Sequence, residues 1–423
     1  MGRRRNKSLL LLFFRKEDLF FSEEKNQKTF DSARVRRYGI WPERTKMYDL
    51  AVVGAGIVGL AHAYAAARRG KRVVVIDRDP RANGASVRNF GFITVTGQER
   101  GHSWALARAT RDIWADIAPQ AGIALEQKGL ILTMRRPEAV AVAEAFMDTE
   151  MGEGCECLGA AAFRARYGEI AAPDALGALV SPHEVRVESR TALPKLAAWL
   201  AEVHGVTFLT DKAVYAVAPP RLETSRGPVQ AEAAIVCPGD DFVTLFADRI
   251  AAYRPQKCRL SMLRLASPGF RLPAPVMSDL SLVRYAGYAA LPQAPALRRR
   301  LEKEQAAHLA NGVHLIVVQS ADGSLVVGDS HHYGDVPPPF APAEAEACIL
   351  DEFLRATGLK PPPVTERWVG TYASAEACTY FVDSPAPEVR LVMVTSGTGA
   401  STGFGIAELT IADLFGSGTG APK

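Results

Sequence analysis

No stretch of the 423-residue chain can span a bilayer: its longest wholly apolar, bulky run is the six residues Leu9 to Phe14, against the ~20 a membrane helix needs. The six cysteines contain no C-x-x-C pair, and only Cys155 and Cys157 lie close together. No metal site is read from them, and a chain of this size has no need of a disulfide framework. Reduced thiols in a cytoplasmic protein are the expectation. The chain also lacks an internal repeat. Its body has no basic patch interleaved with aromatics, which sets nucleic-acid binding aside. The net charge of +4 is misleading on that point, because residues 1–46 hold 13 Lys and Arg against 6 Asp and Glu, and the remainder is net negative.

What is present is an ordinary globular composition, 48% hydrophobic and 23% charged, which excludes a disordered or fibrous chain. Residues 1–46 begin with Arg3, Arg4 and Arg5, but the apolar run that follows is short and is broken by charge at Arg15–Asp18, so it makes a poor export signal. We read 1–46 as an N-terminal extension, disordered or a start-site artefact, with Met47 as the start.

A short apolar strand, Tyr48–Val53, runs straight into Gly54-Ala55-Gly56-Ile57-Val58-Gly59. A helix from about Ile57 stops at Gly70, and a second strand, Arg72–Ile76, ends at Asp77, 23 residues after Gly54. In such a unit the first glycine allows the tight turn, the second admits a pyrophosphate, and the third lets helix and strand pack closely. The helix N-terminus then faces the phosphates, and the acid reaches a ribose hydroxyl. The fingerprint alone leaves FAD and NAD open. At the far end the strand Val389–Val394 leads into the glycine-rich Ser396–Gly405 and a closing helix. A second helix start at the same site suits a flavin, whose reduced ring is anionic. Between these ends, Val313–Val318 and Leu325–Val327 flank an Asp322-Gly323 turn, which predicts a hairpin and antiparallel sheet.

From Met47 onward the chain resembles the FAD-dependent amine oxidoreductases of the D-amino-acid, glycine and sarcosine oxidase superfamily. The matching pieces are the Gly54 loop, Asp77, Gly84–Gly91 (GASVRNFG), Ile235–Gly239 and the Gly397–Gly405 loop. Within it, the segments SVRNFG, Arg284-Tyr285, Gly328–Gly334 (GDSHHYG), Arg367–Tyr372 (RWVGTY) and SGTGASTGFGIAE resemble the branch proposed to act in phosphonate catabolism. The resemblance implies an α/β fold: a Rossmann-like FAD-binding domain with an inserted antiparallel-sheet (α+β) substrate domain. The expected division is 47–95, 185–250 and 385–423 for the FAD domain, and 96–184 and 251–384 for the substrate domain. Non-covalent FAD is the implied cofactor. Together with the fingerprint, its binding residues are Gly54, Gly56, Ile57, Val58, Gly59, Asp77, Arg78, Ser86, Arg88, Asn89 and Gly91. Val214, Gly239, Gly397, Gly399, Ala400, Ser401 and Thr402 complete the set.

One departure bears on the substrate. Where glycine-oxidase-like enzymes carry an arginine for the substrate carboxylate, this chain has Tyr372, so the planar fork for an α-amino acid is missing. Arg264, Arg284 and Arg367 lie beside strand-like stretches and are candidates for an anionic substrate, with Arg284 and Arg367 foremost and Tyr285 and Tyr333 adjoining. His331 and His332, at a strand end, are candidates to take the ammonium proton or bind the anion, and Tyr372 joins them as a catalytic candidate. The expectation is oxidation of a small anionic amine, an aminophosphonate such as 2-aminoethylphosphonate or its N-methyl form, to an aldehyde. Oxygen or another acceptor would take the electrons. The alternatives are a glycine, sarcosine or D-amino-acid oxidoreductase, and an FAD-binding subunit without turnover. Oligomeric state is left open.

Overall fold

In the computed structural model, residues 47–416 are described; the expectation for residues 1–46 lies outside them. Val73–Ile76 is an unbroken β-branched run buried along its whole length, as a strand covered on both faces must be. It pairs in parallel with Tyr48–Val53, which pairs in parallel with Val229–Val236, and that strand with Val389–Val394. Thr207–Leu209 extends one edge in parallel and Tyr380–Ala386 closes the other antiparallel. The helix Ile57–Ala67 covers this sheet with an alanine-rich, almost wholly buried surface, and Gly70, at φ 75°, ends it.

The second sheet, of ten strands among the described residues, is mostly antiparallel. The predicted hairpin is there: Ile316–Gln319 pairs antiparallel with Leu325–Gly328. Gln256–Leu265 lies near one end of it, hydrogen-bonded to Leu325–Gly328, His332–Gly334 and Val364–Ser374. The helix Ala343–Thr357 packs on the same core through Ile349 and Phe353.

Two elements cross the expected domain boundaries. The helix His102–Gln120 lies within 96–184, yet Leu106, Trp114 and Ile117 pack into the core of the first sheet. Tyr380–Ala386 begins before residue 385 and still joins the first sheet. The terminal helix also starts earlier than the glycine content suggests, spanning Gly399–Phe415. Within this helix Gly405 leaves a bare backbone against Leu106: a Cβ there would sit 2.9 Å from that residue's carbonyl oxygen. The Gly405 N–H donates to Thr110 Oγ1 at 2.9 Å.

Arg186, at the end of Gly177–Arg186, ties three chain segments together. It is 1% exposed and donates to the Phe90 carbonyl (3.1 Å), Glu188 (2.8 Å) and Ser320 Oγ (3.2 Å). Breaking a buried pair strands the remaining charge. Arg186→Met is therefore expected to lower the unfolding free energy by about 3–5 kcal/mol, measured as a fall in the urea midpoint at unchanged m-value.

Candidate active site

The three parallel strands Tyr48–Val53, Val229–Val236 and Val389–Val394 all end on one cleft of about 530 Å³. Ligands of open parallel sheets bind at this carboxyl edge. One end is formed by the first turn of the Ile57–Ala67 helix with Ser86 and Asn89, the middle by Ser396–Thr402, and the far end by the second sheet.

The glycine turn is built as the fingerprint requires. Gly54 has φ 107°, and a Cβ on Gly59 would lie 1.9 Å from the Gly54 carbonyl oxygen. The Ile57 N–H donates to Ser86 Oγ at 3.0 Å, and Trp368 Nε1 donates to the Arg88 carbonyl at 3.0 Å. The segment around Ser86 thus bridges the first helix and the second sheet. Asp240, just after Cys237–Gly239, accepts from Thr371 Oγ1 at 2.6 Å, a second such bridge.

Of the predicted cofactor residues, Gly56, Ile57, Val58, Gly59, Ser86 and Asn89 line the cleft, as do Gly239, Gly397, Gly399, Ala400, Ser401 and Thr402. Six others stand outside its lining. Gly54 shapes the turn. Asp77 closes the turn instead of facing the cleft, accepting from Ala55 N at 2.6 Å and Asp79 N at 2.8 Å. Arg78 pairs with Asp241 at 2.7 Å. Arg88 offers its carbonyl to Trp368, Gly91 packs against Val187, and Val214 is buried in the core on the other side of the first sheet.

The expected substrate residues also divide. Arg284, Tyr285, His331, Tyr333 and Tyr372 come together at the far end of the cleft. Arg264 does not: it donates to Ser324 Oγ at 2.7 Å and lies near Glu188 and Glu366. Arg367 is on the outer surface, 58% exposed and paired with Glu346 at 2.7 Å. His332 lies outside the lining, its strand position paired with Arg259. These three lie apart from the residues gathered at the far end of the cleft. Their side chains are committed to other partners or to the opposite face of the sheet.

Arg284 is open to the cleft and ringed by protein. Its Nη2 donates to Tyr333 Oη at 2.5 Å. Burial alone would weaken its charge, but Tyr333, Tyr372 and Asp329 outweigh burial and hold the proton more tightly than usual. Burial raises the pKa of Tyr285, Tyr333 and Tyr372, so all three hydroxyls remain donors at neutral pH. Sequence reasoning missed two neighbours, His314 and Asp329, which also line the cleft. Asp329 stands inside the GDSHHYG segment, where its strand-end position beside the histidines was the available signal.

These features fit FAD. Two helix starts with amides left open by helix geometry line one elongated cleft, and the crowding at Gly59 leaves no room there for a side chain. Tyr372, against which a Cβ on Gly397 would sit at 3.0 Å, marks where the cofactor end meets the substrate end. A family model described as FAD dependent oxidoreductase matches residues 49–413. Among solved structures, a glycine oxidase from Bacillus cereus is 15% identical over 88% of this chain and 96% of its own, with a TM-score of 0.68. The L-proline dehydrogenase from P. horikoshii is 14% identical over 89% and 96%, at 0.71. The L-alpha-glycerophosphate oxidase from Mycoplasma pneumoniae with FAD bound is 14% identical over 87% and 95%, at 0.66. Likeness at this identity shows the fold. No curated protein matches the chain.

Gly59→Ala is expected to cost about 1–3 kcal/mol of overpacking at the turn, weakening FAD about 10- to 100-fold. The ratio of flavin to protein absorbance after gel filtration measures it.

Proposed function

The chain belongs to the FAD dependent oxidoreductase family, and from that premise we propose that it oxidises the C–N bond of a small anionic amine, an aminophosphonate such as 2-aminoethylphosphonate or its N-methyl form. FAD, when bound, supplies the two-electron oxidant for the carbon next to nitrogen. The observation that carries the reading is the setting of Arg284, the one Lys or Arg among the residues lining the cleft. Tyr333 accepts from it and so keeps its own O–H to donate. Tyr285 and Tyr372 add two more hydroxyls nearby. A phosphonate has three oxygens on a tetrahedral centre, and a guanidinium with several hydroxyl donors suits it better than it suits a planar carboxylate. Arg284 and the tyrosines hold the anion, and the amine then extends along the cleft toward Tyr372 and the terminal loop. His331, at the same end, is placed to interact with the amine.

A carboxylate-bearing amine such as glycine or sarcosine is the second reading, because one guanidinium is enough for two carboxylate oxygens. Anaerobic mixing of the holoenzyme with 2-aminoethylphosphonate, N-methyl-2-aminoethylphosphonate, glycine, sarcosine and D-alanine separates the two. Loss of oxidised-flavin absorbance with the phosphonates is expected. Bleaching by the amino acids alone would reject the phosphonate, and bleaching by none would favour a subunit without turnover.

A charge-assisted hydrogen bond contributes about 1.5–3 kcal/mol. Arg284→Met is therefore expected to raise KM for the anionic amine about 10- to 100-fold, while Arg264→Met and Arg367→Met leave it within about twofold. Steady-state kinetics on the three variants checks this.

A further inference from the structure

The far end of the cleft holds one buried carboxylate between two histidines. The polar atoms of His314, Asp329 and His331 all lie within 4.8 Å of one another, and each residue is less than 10% exposed. His331 Nδ1 lies 2.9 Å from the Gly312 carbonyl oxygen. That oxygen can only accept, so Nδ1 carries the hydrogen and Nε2 presents a lone pair. This Nε2 faces Asp329 Oδ2 at 3.7 Å. On the other side, His314 Nδ1 faces Asp329 Oδ1 at 3.2 Å, and both atoms are buried without a hydrogen-bond partner. His314 is held in place by Tyr285, whose ring stacks on it at 5.4 Å and 15°.

We propose that Asp329, set between His314 and His331, is the group that takes the proton from the substrate ammonium before oxidation. The inference rests on the amine-oxidising reading, though not on which amine. In the step, an N–H bond of the ammonium breaks and its electron pair stays on nitrogen. The proton forms an O–H bond with the Asp329 carboxylate, giving a neutral amine and a carboxylic acid. An imidazole nitrogen stands beside each oxygen of the acid: His314 Nδ1 at 3.2 Å from Oδ1 and the His331 Nε2 lone pair at 3.7 Å from Oδ2, neither of them hydrogen-bonded to it in this structure. A small rotation of either ring would let His314 donate to the carboxylate or His331 accept from the carboxylic acid. Gly312 makes the arrangement possible: it has φ 62°, and a Cβ there would lie 2.8 Å from the His331 Cβ.

The other charged or titratable groups facing Asp329 are Arg284, Tyr285 and Cys258. Burial keeps Tyr285 and Cys258 protonated, leaving Arg284 as the fixed charge. Burial pushes Asp329 up to about 7, with Arg284 pulling it partly back. Burial likewise pushes His314 down to about 3 and His331 well below its ordinary range, so neither imidazole competes for the proton. A base must be ionised to act, so the rate rises with pH through the Asp329 pKa. Poised near neutrality, it combines basicity with availability.

The test is the anaerobic rate of flavin reduction in the holoenzyme against pH, with whichever amine of the panel bleaches the flavin. Failure of the phosphonate reading therefore leaves this experiment intact. For the native enzyme the rate is expected to rise with a midpoint near 7. Asp329→Asn is expected to be about 100-fold slower at pH 7 and then to climb about tenfold per pH unit, because free amine supplied by solution bypasses the missing base. A merely structural role gives no such recovery. His314→Gln removes the imidazole nitrogen that stands 3.2 Å from the carboxylate and should raise the midpoint. His331→Asn removes the acceptor for the acid and should lower it. These two variants decide the matter where Asp329→Asn fails to retain FAD. A native pH profile in Asp329→Asn, unmoved midpoints in both histidine variants, or one equivalent of divalent metal in the purified enzyme would overturn the proposal.

Discussion

The approach of the first helix to the first strand, with no side chain between Gly59 and the Gly54 carbonyl, is the contact on which the rest of the site depends. It brings the helix start to the edge of the sheet, where its unpaired amides face the cleft. Ser86 is then close enough to accept from Ile57, and through Ser86 the segment 84–91 is carried across to Trp368 and the second sheet. The terminal helix packs beside the first helix in the same core, with Gly399 and Gly403 facing Val58, and its small residues also let it cross the helix His102–Gln120. Two helix starts and one cleft are thus a single packing solution, and what that packing leaves open fits a cofactor with an extended diphosphate.

Charge at the far end is arranged with similar economy. Arg284 is the one guanidinium lining the cleft, and Asp329 is buried among imidazoles and tyrosines. The side-chain hydrogen bond of Arg284 goes to the neutral Tyr333 hydroxyl, and Arg284 has no salt bridge among the described residues, so its charge is available to an anion that enters. Other arginines of the second sheet already have carboxylates: Arg367 with Glu346 and Arg264 near Glu188 and Glu366. A guanidinium neutralised by its neighbours has little left for a substrate, and this distinguishes Arg284 from them more sharply than position on a strand does.

Much of the cofactor end was legible because its signals are local. Tyr48–Val53 and Val389–Val394 are strands with the ends read from sequence, and the turn after Tyr48–Val53 needs three glycines at fixed offsets. Asp77 shows the limit of such reading. Its place after the second strand was clear, but its carboxylate serves the backbone of the turn, a choice that depends on how closely Ala55 approaches. The expected domain division puts His102–Gln120 with the second sheet, while its apolar face, which fits either core by periodicity, packs into the core of the first. Only the crossing with the terminal helix decides which.

The substrate end was less legible, because there the deciding factor is which face of a strand a residue occupies. Successive side chains on a strand point to opposite faces. His331 and Tyr333 therefore share the cleft, their rings 6.4 Å apart, while His332 between them turns away. Arg367 is excluded by position along its strand instead: the cleft is lined by Gly370–Ser374, and Arg367 stands three residues before that stretch. Arg264 has the parity of Leu260, which does line the cleft, but it stands four residues further on, about 13 Å along the strand, past the cavity. Adjacent histidines in a sequence invite treatment as a pair. Here they turn to different surroundings: His331 is held by the Gly312 carbonyl and faces Asp329, two positions back, while His332 lies outside the cleft.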